Sequence, residues 1–94
     1  MNINFLNQKT PKEINNQIAQ RIRGIRKRRK LSQEKLSEKS GVSLGSVKRF
    51  ESNGEISLGA LTKIAIALNC ENELINLFED IPFMSIQEVI YERD

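Results

Sequence analysis

Residues 31–54 of the chain read LSQEKLSEKSGVSLGSVKRFESNG, and this segment predicts two short helices joined by one turn. Ser32 and Ser43 are suited to cap the two helices, because a serine hydroxyl accepts a hydrogen bond from a free N–H of the first helical turn. Gly41 supplies the turn, and Gly54 is a natural end for the second helix, since glycine readily adopts a left-handed conformation. We therefore expect helices over about 33–40 and 44–52.

Apolar residues in the same segment are spaced to hold the two helices together: Leu36, Val42, Val47 and Phe50. Two helices around a tight turn form a helix-turn-helix, whose second helix can lie in the DNA major groove. With Gln33 opening the first helix, a small residue at Ser37 and Phe50-Glu51 closing the second, the segment resembles the lambda-repressor-like family (Cro/C1-type, XRE family). The resemblance extends over roughly residues 20–78.

The flanking sequence predicts further helices. Thr10-Pro11-Lys12-Glu13 is a capping box, and the isoleucines at 14, 18, 22 and 25 that follow share one helical face, so we expect a helix over 11–29. Ser57 would cap a helix over 58–68, whose inward residues are predicted to be Leu58, Leu61, Ile64, Ala65 and Leu68. A fifth helix is expected over 72–78. Residues 86–92 follow a second capping box and are predicted as either a sixth helix or a strand.

These elements predict an all-α protein: a compact five-helix, lambda-repressor-like DNA-binding domain with a short C-terminal tail. The predicted boundaries are an N-terminal arm over 1–9, the helix-turn-helix domain over 10–79 and the tail over 80–94. A chain of 94 residues is long enough for one such domain with a single small core.

Charge is distributed unevenly along the chain. Residues 1–50 contain 13 basic and 3 acidic side chains, whereas residues 51–94 contain 2 basic and 9 acidic ones. The first half therefore has a net charge of +10 and the second −7, although the whole chain carries only +3. A basic half favours a polyanionic partner, because binding to phosphates releases condensed counterions. The acidic half is expected to face solvent or a protein partner.

Composition argues against catalysis. The chain has no histidine and one cysteine, Cys70, so both the commonest general base and a Cys/His zinc cluster are missing from the sequence. We expect a protein that is not an enzyme and needs no metal or cofactor. A single cysteine cannot form an intrachain disulfide, which favours a cytoplasmic protein. No apolar run approaches the ~18 residues of a membrane span.

The second helix of the motif is predicted to read DNA. Val47 and Phe50 mark its buried side, and at 100° per residue Gly45, Lys48, Arg49 and Ser52 lie on the opposite side. The resemblance implies base contacts from Ser43, Leu44, Gly45 and Arg49. Arg49 is the strongest candidate, since a guanidinium can bond guanine O6 and N7 together.

Other residues are expected at the phosphates: Gln33, Ser46, Lys48, Ser52, Asn53 and Arg26. Gln33 lies at a helix N-terminus, where free N–H groups and the helix dipole favour an anion. The resemblance also implies that Arg26 pairs with Glu51, so we expect Arg26 to be structural first. Two positions depart from the family pattern: Ser40 replaces a large apolar residue, which predicts looser packing beneath the turn, and Glu55 replaces a basic one.

Three functions are compatible with these features. The first is a transcriptional repressor that binds double-stranded DNA as a homodimer. The second is the antitoxin of a toxin–antitoxin pair, which would bind a toxin protein as well as its own operator. The third treats residues 21–30 as an arginine-rich RNA-binding helix. Under the first two, a dimer or partner interface is expected at apolar residues near the C-terminus: Leu74, Phe78, Phe83, Ile86, Val89 and Ile90.

Overall fold

A computed structural model describes residues 8–93 of the chain. Six helices follow one another: α1 Pro11–Arg28, α2 Gln33–Ser40, α3 Leu44–Asn53, α4 Leu58–Ala67, α5 Glu71–Ile75 and α6 Ile86–Arg93. No strand occurs among the described residues. The fold is therefore all-α, as predicted, with α2 and α3 forming the helix-turn-helix. Most of the arm predicted over 1–9 lies outside the described residues.

Side-chain caps determine where the first four helices begin. The hydroxyls of Thr10, Ser32, Ser43 and Ser57 each accept a hydrogen bond from the N–H three residues later, over 3.1, 3.0, 3.2 and 3.1 Å. Each such bond satisfies one N–H that has no partner within the helix, a contribution of about 1 kcal/mol. The starts of these four helices were predictable because this interaction is local.

The core lies where α1, α2, α3 and α4 meet. It consists of Ala19 and Ile22 from α1, Leu36 and Val42 around the turn, Val47 and Phe50 from α3, and Ile64 and Leu68 from the α4 region. In this arrangement α1 packs against α3, and α2 packs against both α3 and α4. The four apolar residues of the helix-turn-helix thus contribute half of the buried cluster.

Leu58 does not face the core, contrary to the sequence prediction. Its side chain is 69% exposed, whereas Ile64, Ala65 and Leu68 are buried. Leu58 is the first residue of α4. At 100° per residue it lies about 20° from the buried Ala65, so the helical period alone places it on the inward side. Its exposure follows from its place at the end of the helix, which periodicity does not take into account.

The serine at position 40 has a role that the sequence analysis missed. The Ser40 hydroxyl accepts a hydrogen bond from the Val42 N–H over 3.1 Å, while the Ser37 hydroxyl donates to the Val42 carbonyl over 2.6 Å. Both backbone groups of Val42 are therefore satisfied by serines of α2. Hydrogen bonding fixes the turn where the family pattern would place a large apolar side chain.

The C-terminal segment is helical but loosely attached. α5 ends at Ile75, earlier than predicted, and turns follow as far as Asp80, with Phe78 in the left-handed region at φ 65°. α6 then begins at the predicted capping box, where the Ser85 hydroxyl accepts from the Glu88 N–H over 3.2 Å. This settles the helix-or-strand alternative in favour of a helix. No residue of α6 is buried.

Gly54 joins α3 to the rest of the fold at very close range. Its φ is 81°, and a Cβ built on it would lie 2.8 Å from the carbonyl carbon and 2.9 Å from the Cβ of Asn15 in α1. Gly41 has a similar φ of 77°, yet a Cβ there would meet nothing within 4 Å. Both glycines therefore adopt a left-handed backbone conformation, but only at Gly54 would a side chain also collide with a neighbouring helix.

We expect Gly54→Ala to destabilise the protein by about 3 kcal/mol. A left-handed alanine costs roughly 1 kcal/mol, and overlap with the backbone of α1 adds about 2 kcal/mol. Gly41→Ala is the matched control and should lose only the roughly 1 kcal/mol of backbone strain. Urea unfolding of the three proteins measures both values; equal losses in the two variants would show that the contact with Asn15 has no energetic weight.

Candidate nucleic-acid interface

Helix α3 has one buried side and one solvent side. Val47, Phe50 and Glu51 are buried against the other helices. The exposed side presents Gly45, Lys48, Arg49 and Ser52. This is the division expected from the helical period, and it leaves the Arg49 guanidinium and the Lys48 ammonium directed away from the core.

The first turn of α3 is tied by its own cap. Besides accepting from the Ser46 N–H, the Ser43 hydroxyl bonds the Ser46 hydroxyl over 2.9 Å. Ser43 is exposed, while Leu44 and Ser46 are half-buried. If either serine contacted a base or a phosphate, the same hydroxyl would also take part in the capping hydrogen bonds. Leu44 offers apolar surface at the same end of the helix.

A buried ion pair joins α1 to α3. The Arg26 Nε lies 2.7 Å from Glu51 Oε2 and the Arg26 Nη2 lies 2.8 Å from Glu51 Oε1, so the pair is bidentate. Arg26 is 7% exposed and Glu51 is 5% exposed. The Arg26 Nη1 donates to the Leu31 carbonyl over 2.8 Å, which also fixes the connection between α1 and α2.

The burial of Arg26 contradicts one of its two predicted roles. The sequence predicts a phosphate contact for Arg26 in addition to the ion pair. In the structure its guanidinium is buried, and its Nε, Nη1 and Nη2 atoms all donate within the protein. We therefore withdraw the phosphate contact, since reaching a phosphate would mean breaking the buried pair.

Glu51 also has hydrogen-bonding and charged neighbours that were not predicted from the sequence. The Gln33 amide donates to Glu51 Oε1 over 3.1 Å, and the Arg23 Nε lies 3.9 Å from the same oxygen. The Gln20 amide donates to the Glu51 main-chain carbonyl over 3.3 Å. Arg23 precedes Arg26 by three residues on α1, so its helical spacing was a usable signal, whereas Gln20 lies about 120° around the helix from Arg26 and had none. Glu51 thereby links α1, α2 and α3.

The carboxyl of Glu51 is strongly biased toward its charged form. Burial by itself raises the pKa of Glu51. Hydrogen bonds from Arg26 and Gln33, together with the charges of Arg26 and Arg23, lower it by more, so the pKa lies below its ordinary 4.5. The hydrogen bond to Glu51 likewise raises the pKa of the Arg26 guanidinium. The ion pair therefore stays charged at neutral pH.

Three expected phosphate contacts lie around α3 and the start of α2. Gln33 is half-buried at the first position of α2, with its amide directed to Glu51. Ser52 is exposed, and its hydroxyl donates to the Arg49 carbonyl over 3.1 Å. Asn53 accepts from the Glu55 N–H over 2.9 Å, which shapes the loop after α3. These side chains border the exposed side of α3, although each has a partner within the protein.

The basic run over 21–30 does not act as one surface. Arg26 is buried, and the Arg29 Nε donates to the Leu68 carbonyl over 3.2 Å, at the end of α4. The other basic residues between 21 and 30, Arg29 included, are exposed. An arginine-rich recognition face on α1 is therefore interrupted at Arg26, and Arg29 lies just beyond the end of the helix.

Neither a metal site nor a membrane segment is found between residues 8 and 93. Within this part of the chain, no three acidic or cysteine side chains gather as a group that could hold a metal ion. None of the helices described there combines the length and the apolar character that crossing a membrane requires.

Acid should selectively remove the stabilisation due to Glu51. Because its folded pKa lies below 4.5, the carboxylate stabilises the fold fully above that pH and loses this contribution as pH falls through the folded pKa. Glu51→Gln should therefore cost about 3 kcal/mol at pH 7, since it leaves Arg26 buried without its counter-ion. The difference from the unmodified protein should shrink as the pH falls below about 4.5 towards the folded pKa of Glu51.

Urea unfolding at several pH values measures this difference in the free energy of unfolding. The contributions of the other carboxyl groups cancel in the difference, because both proteins contain those groups. Glu55→Gln, at an exposed position, is the control and should change stability by less than about 0.5 kcal/mol. A cost for Glu51→Gln that stays constant from pH 7 to pH 3 would contradict the assignment.

Comparison with known proteins agrees with this geometry. The sequence profile of the helix-turn-helix family matches residues 22–71, more than half of the chain, and the match includes α2, α3, α4 and both members of the ion pair. Neither a curated protein nor a solved structure matches the chain significantly. The chain belongs to the Cro/C1-type helix-turn-helix family, whose members are DNA-binding transcription regulators.

Proposed function

We propose that this protein is a repressor that binds double-stranded DNA sequence-specifically, as a homodimer on a near-palindromic operator. In this proposal α3 lies in the major groove, where Arg49 bonds a guanine edge and Leu44 packs on a thymine methyl group. Gln33, Ser46, Lys48, Ser52 and Asn53 contact phosphates on either side of the groove.

The observation that carries the proposal is the exposed side of α3. Lys48 and Arg49 are solvent-exposed on a helix whose other side is anchored by the buried Val47, Phe50 and Glu51. Because three helices converge on Glu51, the exposed side chains are held on a rigid support. Rigid presentation matters for base readout, since a bidentate contact between arginine and guanine requires a defined orientation.

Charge supports a phosphate-rich partner on the same side of the molecule. α1, α2 and most of α3 belong to residues 1–50, which contain 13 basic and 3 acidic side chains. Counterion release would supply non-specific affinity for DNA, while α3 would supply specificity. The acidic half includes α5 and α6, which points these helices away from the DNA.

Two copies of the chain are needed for a site of useful length. One recognition helix contacts only a few base pairs, and family motifs of this kind bind half-sites one helical turn, about 34 Å, apart. A two-fold dimer would therefore read an operator with matching symmetry. Selecting bound sites from random duplex DNA tests this directly, and a reporter placed after the selected site should fall in output when the protein is expressed.

An antitoxin is the second candidate function. The apolar side chains exposed at the C-terminal end, such as Phe78 at 77% and Ile86 at 80%, offer a surface for a toxin protein. Co-purification of a neighbouring gene product in a stable complex would favour this function over a stand-alone repressor. Operator binding through α3 is common to both functions.

Arg49→Ala should weaken binding to the selected operator by roughly 10- to 100-fold while leaving random duplex DNA little affected, because it removes about 1–3 kcal/mol of base discrimination. Lys48→Ala, the adjacent control, should weaken all sequences alike and reduce the slope of log K against log salt by about one. Fluorescence anisotropy over a salt series measures both effects, with structured RNA as a third ligand.

Equal losses on operator and random DNA for Arg49→Ala would remove Arg49 from the base-reading set. Tighter binding to structured RNA than to any duplex DNA would instead favour the RNA-binding hypothesis for residues 21–30.

Gly45 allows a test of how closely α3 approaches the bases. A Cβ at Gly45 would meet nothing within 4 Å of the protein, and the same is true at Gly59, the second residue of α4. Alanine at either position should stabilise the fold by about 0.5–1 kcal/mol, because glycine is a poor helix former. Gly45→Ala should nevertheless weaken operator binding at least about tenfold, whereas Gly59→Ala should not. Unchanged operator affinity in Gly45→Ala would show that the helix keeps its distance from the bases.

A further inference from the structure

α1, α4 and α5 enclose an apolar groove that nothing in the described chain fills. Its volume is about 350 Å³, and the apolar residues along it include Ile18, Ile22, Ile25, Leu61, Leu74 and Leu77. The residues of α1 that face α3, Ala19, Arg23 and Arg26, lie about 115° around the helix from those that line the groove. An occupant of the groove would therefore leave the exposed side of α3 accessible.

α6 is a capped helix with little packing against the rest of the chain. The Ser85 hydroxyl accepts from the Glu88 N–H over 3.2 Å, and the Glu88 carboxylate accepts from the Met84 N–H, one residue before the N-cap, over 2.9 Å. One side of the helix is apolar, formed by Ile86, Val89 and Ile90. Ile86 is 80% exposed and Ile90 is 52% exposed, and no side chain of α6 is buried.

The apolar area at this end of the chain matches what a stable interface requires. Eight large apolar residues from Ile75 to Ile90 are each more than half exposed. At roughly 100 Å² apiece they present on the order of 800 Å². A standard protein interface buries about 800 Å² on each partner.

Charges on the two surfaces are complementary. Arg21 lines the groove, and Arg28 and Arg29 line the depression that adjoins it beside Cys70, with Glu73 as the acidic residue of both. Residues 79–93 contain four acidic side chains and one basic, a net charge of −3. An acidic, apolar helix is therefore available for a groove whose α1 side is basic.

We infer that two copies of the chain exchange their C-terminal helices, each α6 docking by its apolar side in the groove between α1, α4 and α5 of the partner. The exchange is reciprocal, as a two-fold axis requires, and leaves both α3 helices exposed. It rests on the proposed homodimer and deepens it by assigning the dimer contact. Its test needs no DNA, so a failed cross-link would remove the exchange and leave operator binding through α3 to be judged by the DNA-binding experiments.

Cys70 provides a direct test because it is the only cysteine and it lines the groove. In full-length Ile90→Cys, copper-catalysed oxidation should yield a disulfide between Cys70 of one copy and the new cysteine of another. Burial raises the pKa of the Cys70 thiol, so the reaction is run at mildly alkaline pH. Mixing ¹⁵N-labelled and unlabelled protein lets peptide masses separate links between chains from links within one chain.

Tyr91→Cys is the matched control, since residue 91 is exposed on the other side of α6, and it should cross-link to Cys70 at least about fivefold less. Adding Cys70→Ser to Ile90→Cys should abolish the linked species that contains the residue 70 peptide. A link formed within one chain, or equal linking by residues 90 and 91, would overturn the exchange.

Sedimentation of the unlinked protein supplies a second, independent readout. Ile86→Asp should raise the dimer Kd at least about tenfold, because it would bury a charge in the groove, whereas Gln87→Asp adds the same charge beside it and should have a much smaller effect. Neither residue is buried, so the domain stays folded in both variants, which circular dichroism checks. A protein that is monomeric without substitution, or a dimer indifferent to Ile86→Asp, would refute the inference.

Discussion

The bidentate ion pair between Arg26 and Glu51 is the contact on which the geometry of this protein depends. It joins α1 to α3, and through the Leu31 carbonyl and the Gln33 amide it also positions the start of α2. A buried charge is costly without a partner, so the three helices have one arrangement in which both charges are satisfied. The pair contributes specificity of packing as much as stability, because a displaced α3 would leave two ions desolvated.

That constraint sets one basic residue of α1 apart from its neighbours. Arg26 is buried in the ion pair, whereas the other basic residues between 21 and 30 are exposed, including Arg29, which donates to the Leu68 carbonyl from just beyond the end of α1. A dense run of arginines in a sequence therefore overstates the charge available to a nucleic acid. The helical period places Arg26 on the inward side of α1, and the buried Glu51 carboxylate compensates the charge that Arg26 brings there.

The helix starts and the apolar cluster were predictable because they depend on neighbours in the chain. Thr10, Ser32, Ser43 and Ser57 cap within three residues, and the 3.6-residue period places Leu36, Val47 and Phe50 on inward faces. Periodicity predicted a buried side chain at Leu58 but gave the wrong result, because this residue lies at the end of α4 and its side chain is exposed. It also could not supply the hydrogen bonds of Ser37 and Ser40 to Val42, which replace the missing apolar contact beneath the turn.

The sequence alone determined the fold class, the helix-turn-helix, the polarity of charge and the exposed face of α3, since each follows from local spacing or from composition. Only the tertiary structure decided that Gly54 must lack a side chain, that Glu51 gathers Arg23 and Gln33 besides Arg26, and that α6 is a helix without a core of its own. These features rest on distances between residues far apart in the chain, such as Gly54 and Asn15. Propensity and periodicity describe how a segment folds, whereas close approach between segments is known only after the helices have packed.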